Sequence, residues 1–190
     1  MDTDLILPVI IGVGLSAAVG FRIFVPFLIL SIFSLLGYIN LSSGFEWIGT
    51  YPALIAFGFA TLLEIVAYFI PWFDNLLVTI AVPVSIIAGS LMMGSVLTDF
   101  SPLIKWSLSI IAGGGLAGSI QSATSILRAG STYTTGGLAN PVISTTEAGI
   151  SVSLSALAIF LPLLAFILII VFIFWIIKKF GKRFLLHRKI

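Results

Sequence analysis

Cysteine is absent from the 190 residues, and histidine occurs once, at position 187. Without thiols the chain has no disulfide, no thiolate metal site and no thiol nucleophile. With its only imidazole in a basic tail, it also lacks a histidine base inside its apolar runs. Charge is the second scarcity: 8% of residues are charged against 59% hydrophobic, and mean hydropathy is +1.25. So little polar surface cannot clothe a soluble domain of this length, so the chain belongs in lipid. A span takes roughly 20 residues, which leaves room for one bundle of about five spans over residues 1–177, followed by a basic tail at 178–190. The net charge of +2 conceals an asymmetry, because six of the nine basic residues follow Ile177.

Against that background, Arg22, Glu64 and Arg128 lie in or at the end of runs long enough to cross a bilayer. An ion in hydrocarbon is costly unless paired or solvated, so these residues are the first functional candidates. The first run, residues 5–36, would make a straight helix of about 48 Å, beyond a hydrocarbon core of about 30 Å. Gly20 and Pro26 flank Arg22, which predicts a bent or discontinuous first span, with a re-entrant hairpin as the alternative. Residues 37–50 read as an interfacial loop with Trp47 and Tyr51 at headgroup level.

The second span, about 51–70, carries Ala53, Ala56, Ala60, Glu64 and Ala67 at helical spacing, so Glu64 is expected to face another helix across small residues. Residues 71–75 read as a tight turn and 76–98 as the third span. The fourth span, about 103–127, opens with Lys105 snorkelling near an interface. It presents Gly114, Gly118, Gln121, Ser125 and Arg128 on one face. Residues 129–149, the longest polar stretch, read as a functional loop containing Ser131, Thr132, Thr134, Thr135, Asn140 and Glu147. The last span is expected over 150–177.

The polybasic tail sets topology and meets anionic lipid rather than nucleic acid. By the positive-inside rule it is cytoplasmic, and five spans then put Asp2 and Asp4 outside. The first run is too long, and lacks the basic start, for a cleavable secretory signal. Gly12-Val13-Gly14-Leu15 before Arg22 echoes Gly113-Gly114-Gly115-Leu116 before Arg128, a weak sign of an inverted repeat. Gly113 to Gly115 lack the Lys-Ser/Thr ending of a phosphate loop.

Several segments together resemble one family. They are Gly14 to Ala18 with Gly20-Phe21-Arg22 and Pro26; Ile70-Pro71-Trp72-Phe73-Asp74-Asn75 with Pro83, Ala88 and Gly89; and Arg128 to Thr132 through Thr135-Gly136-Gly137-Leu138-Ala139-Asn140-Pro141 and Ser144 to Glu147. The family is an uncharacterised group of bacterial integral membrane proteins, domain of unknown function forty-one twenty-six. The resemblance covers nearly all of the chain except the tail. It implies a membrane protein and supplies no activity.

The residues themselves therefore carry the functional expectation. Arg22 and Arg128 offer planar paired donors to carboxylate or phosphate. Gln121, Ser131, Thr132, Thr134, Thr135 and Asn140 offer neutral hydrogen bonds, and Glu64 and Glu147 are carboxylates that pair with arginine or carry a proton. The leading reading is a transporter or permeation path for a small anionic or zwitterionic solute or lipid headgroup in the bacterial cytoplasmic membrane. The alternative is a non-catalytic scaffold, a homo-oligomer through its glycine faces, in which Arg22–Glu64 and Arg128–Glu147 are structural ion pairs. Catalysis, a metal and a cofactor are not expected, and membrane lipids and a small solute are the partners.

Overall fold

The computed structural model describes residues 3–187, apart from the side chains of residues 3–4, 71–72, 74–76, 175–177 and 179–187. The expectations for Asp2, Asp4, Asp74, Asn75 and the cations of the tail from Lys179 onward fall outside the described residues. The fold is all-helical: α1 (Thr3–Val19), α2 (Phe24–Leu35), α3 (Tyr51–Phe69), α4 (Pro71–Val96), α5 (Pro102–Leu108), α6 (Gly115–Thr135), α7 (Asn140–Phe160) and α8 (Pro162–His187). A 3₁₀ turn at Glu46–Gly49 precedes α3, and a π-helical turn at Ser109–Gly114 joins α5 to α6.

Proline sets most of these starts. Of the eight prolines, six (Pro26, Pro52, Pro71, Pro102, Pro141 and Pro162) lie within the first three residues of a helix. There the missing N–H has no intrahelical partner to lose. Three expectations fail for this reason. Residues 71–75 are the first turn of α4 rather than a connection. Asn140-Pro141 opens α7 inside the supposed polar loop, which shrinks to a turn at residues 136–139 with Gly136 and Gly137 at φ 64° and 88°. Pro162 divides the expected last span into α7 and α8 at Leu161.

Interhelical contacts fix the direction of each element. Along α7, Ala158 meets Gly14, Ser151 Oγ donates to the Ala18 carbonyl at 3.0 Å, and the Ser144 carbonyl accepts from Arg22 at 2.9 Å, so α1 runs antiparallel to α7. Phe33 then packs edge-on against Phe160 at 4.9 Å, so α2 returns parallel to α7. The first apolar run is therefore the re-entrant hairpin, not a bent span. It enters and leaves through one face of the bundle, called here the N-terminal face, with Arg22 at its tip. On the other side of α2, Glu64 meets Ile23 and Phe57 stacks on Phe27 at 5.3 Å, which makes α3 antiparallel to α2.

From the N-terminal face α3 descends, α4 returns, α5–α6 descends, α7 returns and α8 descends. Among the described residues, four segments are long and apolar enough to cross a membrane: Tyr51–Phe69, Leu77–Val96, Pro102–Thr135 and Asn140–Phe160. The apolar Pro162–Phe174 stretch of α8 continues as helix to His187. About five spans is thus a fair description, reached by a different division of the chain. The two Gly…Arg segments lie on α1 and on α5–α6, which run in the same direction, so this pair does not form an inverted repeat.

Close backbone approach holds the centre. A Cβ on Gly20 would sit 2.6 Å from Ile120 Cβ, one on Gly113 2.6 Å from the Gly89 carbonyl oxygen, and one on Gly14 2.5 Å from Ala158 Cβ. Ser16 Oγ, buried, donates to the Gly89 carbonyl at 2.9 Å. Small residues and such hydrogen bonds are what join helices where lipid removes the hydrophobic drive between them. Outward faces are apolar, with Ile55, Phe59, Leu62 and Val66 on α3 and Leu163, Ile167 and Val171 on α8 all exposed.

Candidate functional site

The hairpin tip places one cation deep inside the bundle. Gly20 to Ile23 leave the helical path, so Arg22 projects from a break that Gly20 permits by packing directly on α6. Counting turns from either end of α3, the tip lies about 20 Å from the N-terminal face and about 8 Å from the other. Arg22 is 1% exposed and Arg128, on α6, is 2% exposed.

Both guanidinium groups converge on α7. Arg128 Nη2 pairs with Glu147 Oε2 and donates to Ser144 Oγ at 3.1 Å, while Arg128 Nε donates to Glu147 Oε1 at 3.3 Å. Arg22 Nη2 lies 3.4 Å from the same Glu147 Oε2 and donates to the Ser144 carbonyl. The expected Arg128–Glu147 pair is present, but Arg22 pairs with Glu147 rather than Glu64. Glu64 instead accepts from the Ile23 and Phe24 amides at 2.8 and 3.0 Å. Those amides head α2, whose N-cap has no side-chain cap of its own, so an acid from α3 satisfies free N–H groups and the positive end of the helix dipole.

Tyr68 completes the cluster. Its ring centroid is 4.0 Å from Arg22 Cζ and 4.4 Å from Arg128 Cζ, a cation–π contact with both arginines. Sequence reading missed Tyr68 and Ser144, although helical spacing marks both: Tyr68 follows Glu64 by four residues and Ser144 precedes Glu147 by three. The buried stripe of α3 is Ala53, Thr61, Glu64 and Tyr68; it keeps Ala53 and Glu64 of the row that the sequence suggested but takes Thr61 and Tyr68 in place of Ala60 and Ala67, and Ala56 is exposed.

The remaining expected residues divide. Gln121 is buried about two turns before Arg128 on the same helix, with Nε2 3.4 Å from Thr124 Oγ1. Asn140 is buried and donates to Thr132 Oγ1 at 3.2 Å across the α6–α7 turn. Thr134 and Thr135 are exposed, and their hydroxyls donate to the Gly130 and Ser131 carbonyls of α6 at 2.9 and 2.7 Å. Ser131 sits beside Thr135 on the same outer turn. These three hydroxyls do not join the arginine cluster. Once residues 129–135 are helix, their side chains spread around it instead of gathering along a loop.

A cavity of about 450 Å³ opens between α3 and α4 and reaches the cluster at Glu64 and Tyr68, with Ile23 and Phe24 on its wall. Among the described residues, no group of three His, Cys, Asp or Glu side chains is placed to hold a metal ion. Among known families, the one described as Domain of unknown function (DUF4126) matches residues 9–181. No curated protein and no solved structure matches the chain.

Proposed function

The chain belongs to this family, whose description names no activity, and we propose that it is a non-catalytic transporter or permeation path for a small anionic or zwitterionic solute or lipid headgroup. Its place is the cell membrane, with the basic C-terminal tail on the cytoplasmic side, as the distribution of Lys and Arg favours. The observation that carries the reading is Arg22, whose Nε and Nη1 are fully buried without a hydrogen-bond partner. Most of the donor capacity of this guanidinium is therefore unused. A buried donor left unsatisfied costs about 1–3 kcal/mol, more when charged, and a purely structural ion pair has no reason to retain that cost. Carboxylate and phosphate supply the acceptors that such a group lacks. Its location at a helix break deep in the bundle supports the same reading, since irregular backbone in lipid is tolerated where it is enclosed by protein or lines a path.

A second reading, a scaffold, is favoured by Glu147 standing between both arginines and by Glu64 capping α2. Two cations and two carboxylates then balance within one closed cluster. Flux separates the two. Proteoliposomes loaded with a panel of labelled carboxylates, phosphate, amino acids and short-chain phospholipids should pass at least one of them, and Arg22→Gln, inserted and folded, should abolish that movement. No flux of any panel member, or flux untouched by Arg22→Gln, overturns the transport reading.

A further inference from the structure

Three cations precede the tail, and all are buried: Arg22, Arg128 and Lys105, the last 8% exposed. The arginines share Glu147, whereas Lys105 has no carboxylate at ion-pair distance among the described residues. Its ammonium donates to Ser42 Oγ and to the Ser43 carbonyl at 3.3 Å, and lies 4.9 Å from the Phe45 ring centroid. Neutral partners leave the charge itself uncompensated, an expensive arrangement for a buried ion.

Lys105, Ser42, Ser43, Phe45, Thr98 and Trp106 line a cavity of about 360 Å³ at the N-terminal face, where α5 begins and the 41–45 loop folds over it. We propose that this cavity binds a phosphate group carried as a monoanion, with Lys105 as its countercharge. The Ser42 hydroxyl accepts from Lys105 and keeps its own hydrogen to donate to the same oxyanion. Two carboxylates stand near the opening: Glu46 accepts from the Gly44 amide at 2.7 Å, and Asp99 accepts from the Thr98 hydroxyl at 2.9 Å. Both are exposed and screened, but they penalise a dianion more than a monoanion, which favours a phosphodiester headgroup over free phosphate. Phe45 and Trp106, their rings 6.4 Å apart, supply the aromatic wall usual at headgroup level. This site is independent of the arginine cluster, near the opposite end of the bundle from Tyr68 and Arg128.

Native mass spectrometry of the full chain in nonionic detergent tests it, with phosphatidylglycerol titrated against monogalactosyl diglyceride, a lipid without phosphate. Wild type should prefer the phospholipid by about tenfold, Lys105→Met should lose the preference, and Lys105→Arg should keep it. A further titration with inorganic phosphate assigns the source. No displacement of the lipid is the expected result and identifies a headgroup site, while competitive displacement identifies a site for the free anion with the same Lys105 chemistry. Equal retention of both lipids by wild type overturns the proposal whether or not a variant folds. So does an undiminished preference in Lys105→Met with an unchanged melting temperature.

Discussion

Replacing Glu147 with Gln removes the one charge that both arginines share while keeping the side chain's shape. Glu147 Oε2 lies 3.4 Å from Arg22 Nη2, and Oε1 accepts from Arg128 Nε at 3.3 Å. At an effective dielectric constant of about 20, one such contact has a gross attraction of about 5 kcal/mol. Desolvation in the folded state offsets much of it, and breaking a buried pair by removing one partner costs about 3–5 kcal/mol net. Glutamine also turns an N–H₂ toward guanidinium donors, so the upper part of that range, about 4–5 kcal/mol, is expected. The measurement is equilibrium unfolding in mixed micelles of nonionic detergent and dodecyl sulfate, followed by helical circular dichroism. Glu46→Gln, at an exposed position, serves as the control and should change stability by less than about 0.5 kcal/mol. A Glu147→Gln variant within about 1 kcal/mol of wild type would show that the arginines do not depend on this carboxylate.

Two further substitutions probe the hairpin. Glu64→Gln keeps one acceptor for the Ile23 and Phe24 amides but sets an N–H₂ against the other. It should cost about 1.5–3 kcal/mol in the same unfolding assay and raise hydrogen exchange at Ile23 and Phe24; unchanged exchange would deny Glu64 its capping role. Gly20→Val places a Cβ 2.6 Å from Ile120 Cβ and 2.8 Å from the Ala117 carbonyl oxygen, so α1 must move from α6 at a cost of about 1–3 kcal/mol or more. A melting temperature equal to wild type would show that the tip is not packed as described.

Much of the fold was legible from composition and spacing. Scarce charge and long apolar runs gave the all-helical membrane bundle, and Gly20, Arg22 and Pro26 located the break in the first run. What hydropathy could not supply was direction, because a bent span and a hairpin have the same residues and differ only in which partners each half meets. The proline positions carried more than was taken from them. Pro141 and Pro162 mark helix starts, and reading them so divides residues 129–177 into the end of α6, α7 and α8. At the site, the sequence identified Arg22, Glu64, Arg128 and Glu147 because ions are rare in lipid. It could not pair them, since Arg22 meets Glu147 across 125 residues of chain through the re-entry of α1. Ser131, Thr134 and Thr135 looked available only while their segment was a loop. In a helix Thr134 and Thr135 return their hydrogen bonds to carbonyls four residues earlier, and Ser131 lies beside Thr135 on the outer turn.

In the proposed function, the buried arginine cluster belongs to a path that solute and water enter. Since the chain has no native cysteine, single replacements at Thr61 and Gln121, both buried, one turn from Glu64 on α3 and about two turns from Arg128 on α6, can be labelled in sealed membranes with an impermeant thiol reagent from each side, with Thr134→Cys as the exposed reference. At least one of the two buried positions should label from one side, more slowly when a transported anion is present. Full labelling of the reference with neither buried position reacting would contradict it and leave the cluster as a dry joint between helices.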